Sequence, residues 1–149
     1  MKTTLIFFFL ALLARIIFIF FQGSSIEQYL IEDELMYWDN SLSFLRTGIL
    51  NKDILYERMP SIFIYYKILL WLTSENLKIL LYIQAVIDTI SCFMLYRISC
   101  LIAPRLKFFL YGFAALSPLM IILSSQVLSE TIFLFFFTFF IYFSLRIII

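Results

Sequence analysis

Carboxylates and aromatic rings crowd the stretch Glu32-Asp33-Glu34-Leu35-Met36-Tyr37-Trp38-Asp39, which lies between two hydrophobic runs of membrane grade. Carboxylates held at a bilayer surface can take up a proton as general bases or ligate a cation. The chain has no histidine, so the commonest general base and the commonest zinc ligand are both missing. Any chemistry must therefore rest on Asp, Glu, Tyr, Lys or Arg. A second charged pair, Glu57-Arg58, stands immediately before Met59-Pro60. There is no G-x-x-x-x-G-K, no G-x-G-x-x-G and no metal-ligand cysteine pattern, so nucleotide hydrolysis and redox cofactors have no sequence support.

The elements that must carry these residues follow from composition. Of 149 residues, 64% are hydrophobic and 20% aromatic, and the mean hydropathy of +1.03 exceeds what a soluble domain of this size can bury. The expectation is an all-α, multi-pass transmembrane helical bundle. A net charge of +1 with scattered Lys and Arg offers no basic field for nucleic acid. Cys92 and Cys100 are roughly 12 Å apart along one helix and cannot pair within it.

Residues 5–21 are long enough to cross about 30 Å of hydrocarbon and follow Lys2. A cleavable signal peptide ending near Gly23-Ser24-Ser25 is the alternative, but the apolar run is long for one and contains Arg15. Residues 22–58 read as an outer loop of short amphipathic helices, the first of them ended by Gly48. Residues 59–72 span only about 21 Å if helical, too short to cross. They read as a re-entrant or interfacial helix, started by Pro60 and carrying Tyr65, Tyr66 and Trp71 at headgroup depth. Further spans are expected at 77–101, 108–123 and 132–149, with Ala103-Pro104 turning the chain between the second and third. The 149 residues thus form one membrane domain of about four spans.

Basic residues orient the bundle. Arg97, Arg105 and Lys107 are dense in one short connection, whereas Arg46, Lys52, Arg58 and Lys67 are spread over the long segment 22–76. This density places the short turn inside and the 22–76 segment on the outer face, as expected of an integral protein of the plasma (inner) membrane. Eight of the ten acids fall in that outer segment: Glu27, Glu32, Asp33, Glu34, Asp39, Asp53, Glu57 and Glu75.

The order of these features resembles the N-terminal part of the GT-C glycosyltransferases, specifically the protein O-mannosyltransferase and aminoarabinose transferase branch. Asp33-Glu34-x-x-Tyr37 with Leu45 and Gly48 resembles the family's DExxY signature in its first outer loop. Tyr56-Glu57-Arg58-Met59-Pro60 resembles its basic-Pro-Pro element. Gln84 to Arg97 resembles the following span, and Leu116-Ser117-Pro118 with Leu128-Ser129-Glu130-Thr131 resembles the spans around the next outer turn. Met59 replaces the family's first proline and Ser41 a small apolar residue. The family's enzymes carry many more spans, so the chain is expected to be a fragment, inactive alone and associating with itself or a companion fragment.

The resemblance implies transfer of a sugar from a polyprenyl-phosphate donor to an acceptor on the outer face. Such a reaction needs a base for the acceptor and positive charge for the departing phosphate. The resemblance makes Asp33 the base, with Glu34 beside it. Tyr37 and Arg58 are candidates for substrate binding, the latter through its planar donors, and Glu57 can help hold a divalent metal. The competing reading is a small noncatalytic membrane protein, an assembly subunit or transporter piece, whose acids solvate an outer loop. Within the membrane, Arg15, Gln84 and Asp88 need buried partners. Arg15 calls for an acid, and Gln84 and Asp88, four apart on one face, read as interhelical ties. The phenylalanines of 7–9 and 133–140 read as lipid-facing or packing bulk rather than a ligand box.

Overall fold

A computed structural model describes residues 2–22, 30, 32–51 and 58–148. Gly23, Ser24 and Ser25, on which the signal-peptide alternative turns, lie outside them. Seven helices and no strands occur among the described residues: α1 (Lys2–Phe21), α2 (Glu32–Thr47), α3 (Pro60–Leu72), α4 (Leu77–Ile102), α5 (Lys107–Leu116), α6 (Pro118–Ser124) and α7 (Glu130–Ile148). The expected all-α bundle is what the chain forms.

Helices α1, α4 and α7 are each long and apolar enough to cross a membrane, and α5 with α6 makes a fourth candidate bent by 50°. The bend is the one departure from the expected continuous third span. Pro118 has no N–H for the helical ladder and forces its predecessor out of the helical region, and Ser117 accordingly sits at φ −60°, ψ 121°. The other boundaries follow from local chemistry. Gly48 ends α2 with φ +73°, a conformation open to glycine, and its N–H reaches back to Phe44 O. Pro60 opens α3, where its missing N–H removes nothing from the ladder. The Asn76 side chain accepts from Ile79 N at 3.1 Å and caps α4.

Helix α4 is the axis. Half of its spanning window is buried, against 17% for α1 and α7, because α1, α5, α6 and α7 all pack around it. At one end of the bundle, Thr4 donates to the Tyr96 hydroxyl and Arg97 to the Tyr142 hydroxyl, joining the start of α1 and the end of α7 to the last turns of α4. At the other end, α2 and α3 pack together over the first turns of α4. Tyr37, Trp38, Phe63, Tyr66, Leu70, Leu80, Leu81 and Val127 form the largest apolar core there. In the middle, Ala11, Ala114 and Ala115 let α1 and α5 approach closely around Cys92 and Tyr111.

That close approach encloses an ion pair. Arg15 is fully buried, and its Nε donates to Asp88 Oδ2 at 2.6 Å. Its Nη1 donates to Ala11 O and Ala115 O, each at 2.9 Å, and its Nη2 to Cys92 Sγ at 3.3 Å. One guanidinium thus holds three helices, and the acidic partner that Arg15 requires is Asp88. The outward faces are apolar, with Phe9, Phe20, Phe109, Phe113, Phe133, Phe136 and Phe140 all exposed, as suits lipid-facing surfaces.

Candidate functional site

The α2–α3 pair brings most of the sequence candidates to one place. Asp33 and Tyr37 are four residues apart on α2 and so share a face. Arg58, two residues before α3 begins, donates from Nη2 to Asp33 Oδ1 at 3.0 Å, and its guanidinium carbon lies 6.0 Å from the centre of the Tyr37 ring. The tyrosine is the fixed part of this cluster. It is 5% exposed and packs on Phe63 and Tyr66, with ring centres 5.7 and 6.3 Å away. The ion pair sits at the surface, with side chains 62% (Asp33) and 40% (Arg58) exposed, so it is accessible to a second molecule.

Glu34 does not join them. Successive residues of a helix point about 100° apart, and with Asp33 facing out Glu34 turns into the core, where it is 4% exposed. Its Oε1 accepts from Val127 N at 3.0 Å, tying α2 to the connection between α6 and α7. The same connection is held twice more. Tyr66 donates its hydroxyl hydrogen to Leu128 O at 2.7 Å, and Gln84 Nε2 donates to the Tyr66 hydroxyl at 3.1 Å and to Gln126 O at 3.3 Å. Gln84 is therefore the interhelical tie that its position within a span suggests. Burial pushes the Tyr66 phenol up, and Tyr65 beside it likewise, so both stay neutral.

Below the Asp33–Arg58 pair an apolar groove of about 770 Å3 runs between α3 and α7. Arg58, Ser61, Tyr37 and Ser129 form its polar end, and Ile64, Ile68, Ile132, Phe133 and Phe136 its apolar length. Ile64, Ile68, Phe133 and Phe136 are all about half exposed or more, so the groove opens sideways to the lipid-facing surface. Two helices begin at its polar end, α3 at Pro60 and α7 at Glu130. The start of each carries the positive end of the helix dipole, although at α3 Pro60 has no N–H and Ile62 N already donates to Met59 O. Glu130 offsets part of that charge at α7, where Ser129 Oγ donates to it at 3.3 Å. The Tyr65 hydroxyl, on the groove wall, has no hydrogen-bond partner among the described residues.

The residues that sequence reasoning missed here belong to α7 and to the position just before it. Ser129, Ile132, Phe133 and Phe136 read as an outer turn and apolar bulk, and no short-range signal marks which face of α7 meets α3. Glu57, the metal candidate, lies outside the described residues. Among those described, no three Asp, Glu or Cys side chains come together, and the carboxylate at the groove's mouth, Asp33, is already paired with Arg58. No protein-family model, curated protein or solved structure matches the chain.

Proposed function

We propose that this protein binds a polyprenyl-phosphate sugar and takes part in transfer of the sugar to an acceptor at the membrane surface. The observation that carries this reading is the junction of two unlike environments. An arginine, a carboxylate and the N-terminal ends of two helices meet at the mouth of a groove whose walls are apolar and open to lipid. A lipid phosphate has the matching halves, an anion and a long hydrocarbon chain. Arg58 spends one donor on Asp33 and its guanidinium has others for a phosphate oxygen. The positive ends of the α3 and α7 dipoles add to the same field.

In this reading the acceptor hydroxyl approaches from the water side and gives its proton to the Asp33 carboxylate. The acceptor oxygen forms a bond to the anomeric carbon as the bond from that carbon to the phosphate oxygen breaks. The electron pair leaves with the lipid phosphate, whose charge Arg58 stabilises. Glu34 takes no proton; it positions the connection that carries Ser129. The groove's mouth faces the outer side of the plasma membrane, a placement supported by the density of Arg97, Arg105 and Lys107 at the opposite end.

The test is Asp33→Asn, assayed for transfer from a radiolabelled polyprenyl-phosphate sugar in native membranes, where any companion chain that completes the enzyme is present. Transfer is expected to fall by at least about 100-fold, within the range a general base contributes, at unchanged expression. Full transfer by the variant would remove Asp33 as the base and leave the Asp33–Arg58 pair a surface ion pair of a noncatalytic membrane protein.

A further inference from the structure

Lys67 is the one cation of α3, and it lies on the flank facing α2 rather than the flank facing α7. Its Nζ sits 3.7 Å from the centre of the Phe44 ring. Among the described residues it has no carboxylate within ion-pair distance and no hydrogen-bond acceptor, so among them the ring face is what supports it. An ammonium carries three donors, and a ring satisfies its charge in part while leaving those donors unspent. Beside it runs a trench of about 380 Å3 lined by Phe44, Leu45, Ile64, Lys67, Ile68 and Trp71. Trp71 is 69% exposed at its rim, although aromatic side chains of this size are ordinarily covered. The trench adjoins the groove below Arg58, and Ile64 and Ile68 are walls of both.

At 13 residues α3 is too short to cross a bilayer, and its apolar outer face with Trp71 suits the boundary between headgroups and acyl chains. A half-buried lysine at that depth needs an anion, and the trench beside it needs hydrocarbon. We propose that Lys67 and this trench bind one anionic diacyl phospholipid, the phosphate taking the ammonium's free donors and an acyl chain lying along Ile64, Ile68 and Trp71. The occupant is a bulk membrane lipid rather than the polyprenyl phosphate proposed above, because Lys67 stands roughly 10 Å along α3 from the Pro60 end beside Arg58, too far for one phosphate to engage both cations. The inference stands independently of the transfer reaction.

Trp71 reports on the site directly, since the only other tryptophan, Trp38, is 4% exposed in the core. The protein is reconstituted in phosphatidylcholine vesicles that contain a small, equal fraction of either brominated phosphatidylglycerol or brominated phosphatidylcholine, and tryptophan quenching is compared. Brominated phosphatidylglycerol should be preferred by about fivefold, the size a single lysine gives near an anionic lipid. Trp71→Phe should abolish the difference, Lys67→Gln should abolish the preference, and Lys67→Arg should keep it. Equal quenching by the two lipids in the unaltered protein would overturn the site without reference to any variant. So would an undiminished preference in Lys67→Gln, or displacement of the brominated phosphatidylglycerol by an equimolar amount of polyprenyl phosphate.

Discussion

Asp33 and Glu34 are chemically alike and adjacent, yet one meets water and Arg58 while the other meets a backbone amide in the core. If Glu34 acts through position, what matters is an acceptor at its Oε1. Glu34→Gln keeps one and should leave the thermal stability of the detergent-solubilised protein close to that of the parent. Glu34→Ala leaves Val127 N–H buried without its partner and should cost about 1–3 kcal/mol. Hydrogen exchange across 125–129 should quicken in the alanine variant and stay slow in the glutamine one. Equal damage from both would mean that the negative charge itself is required. That Asp33 and Tyr37 share a face was legible in the sequence, since residues four apart in a helix do so. The inward turn of Glu34 was not, because which face of α2 meets the core depends on where α3 docks.

At the scale of elements, the two polar residues four apart in α4 part company. Gln84 faces Tyr66 and the α6–α7 connection, whereas Asp88 faces Arg15 in α1. Their need for partners was legible from the expense of a polar group inside a membrane. The identity of those partners was not, because it depends on the packing of α1 and α5 against α4. The ion pair closes that packing, so breaking it by Arg15→Met or by Asp88→Leu alone should destabilise the bundle by about 3–5 kcal/mol, leaving a buried charge uncompensated. The double variant removes both charges and should recover most of that loss, which thermal unfolding in detergent would read. Failure of the double variant to recover would place the stabilisation in the bonds from Arg15 to Ala11 O and Ala115 O instead. The bend between α5 and α6 is a related case. Pro118 was visible in the sequence, but a proline can end a helix or merely bend it, and the 50° angle reflects what the neighbouring helices accommodate.

For the molecule as a whole, α2, α3 and the α6–α7 connection crown one end of the bundle, and the short α4–α5 turn closes the other. With Cys92→Ser and Cys100→Ser removing the native thiols, a cysteine at Asp39 should react with a membrane-impermeant maleimide in intact cells, and one at Arg105 should react only after the cells are opened. The opposite pattern would place the groove's mouth on the inner face. The long apolar helices α1, α4 and α7, the α5–α6 pair and an α3 too short to cross were readable from hydropathy and length. The groove was not, because it arises where α3 and α7 meet across more than fifty residues of intervening chain. Its reading as a lipid-phosphate site is most directly tested by binding, measured by native mass spectrometry on the purified protein with a polyprenyl phosphate and the corresponding polyprenol. The protein should bind the phosphate well above the alcohol, and Arg58→Gln should weaken phosphate binding by about tenfold or more, as expected for loss of a charged hydrogen bond. Asp33→Asn and Lys67→Gln should leave it within about twofold, since a carboxylate does not attract a phosphate and Lys67 stands about two turns along α3 from the end beside Arg58. Equal binding of phosphate and alcohol, or an Arg58→Gln protein that binds the phosphate as tightly as the parent, would contradict the account.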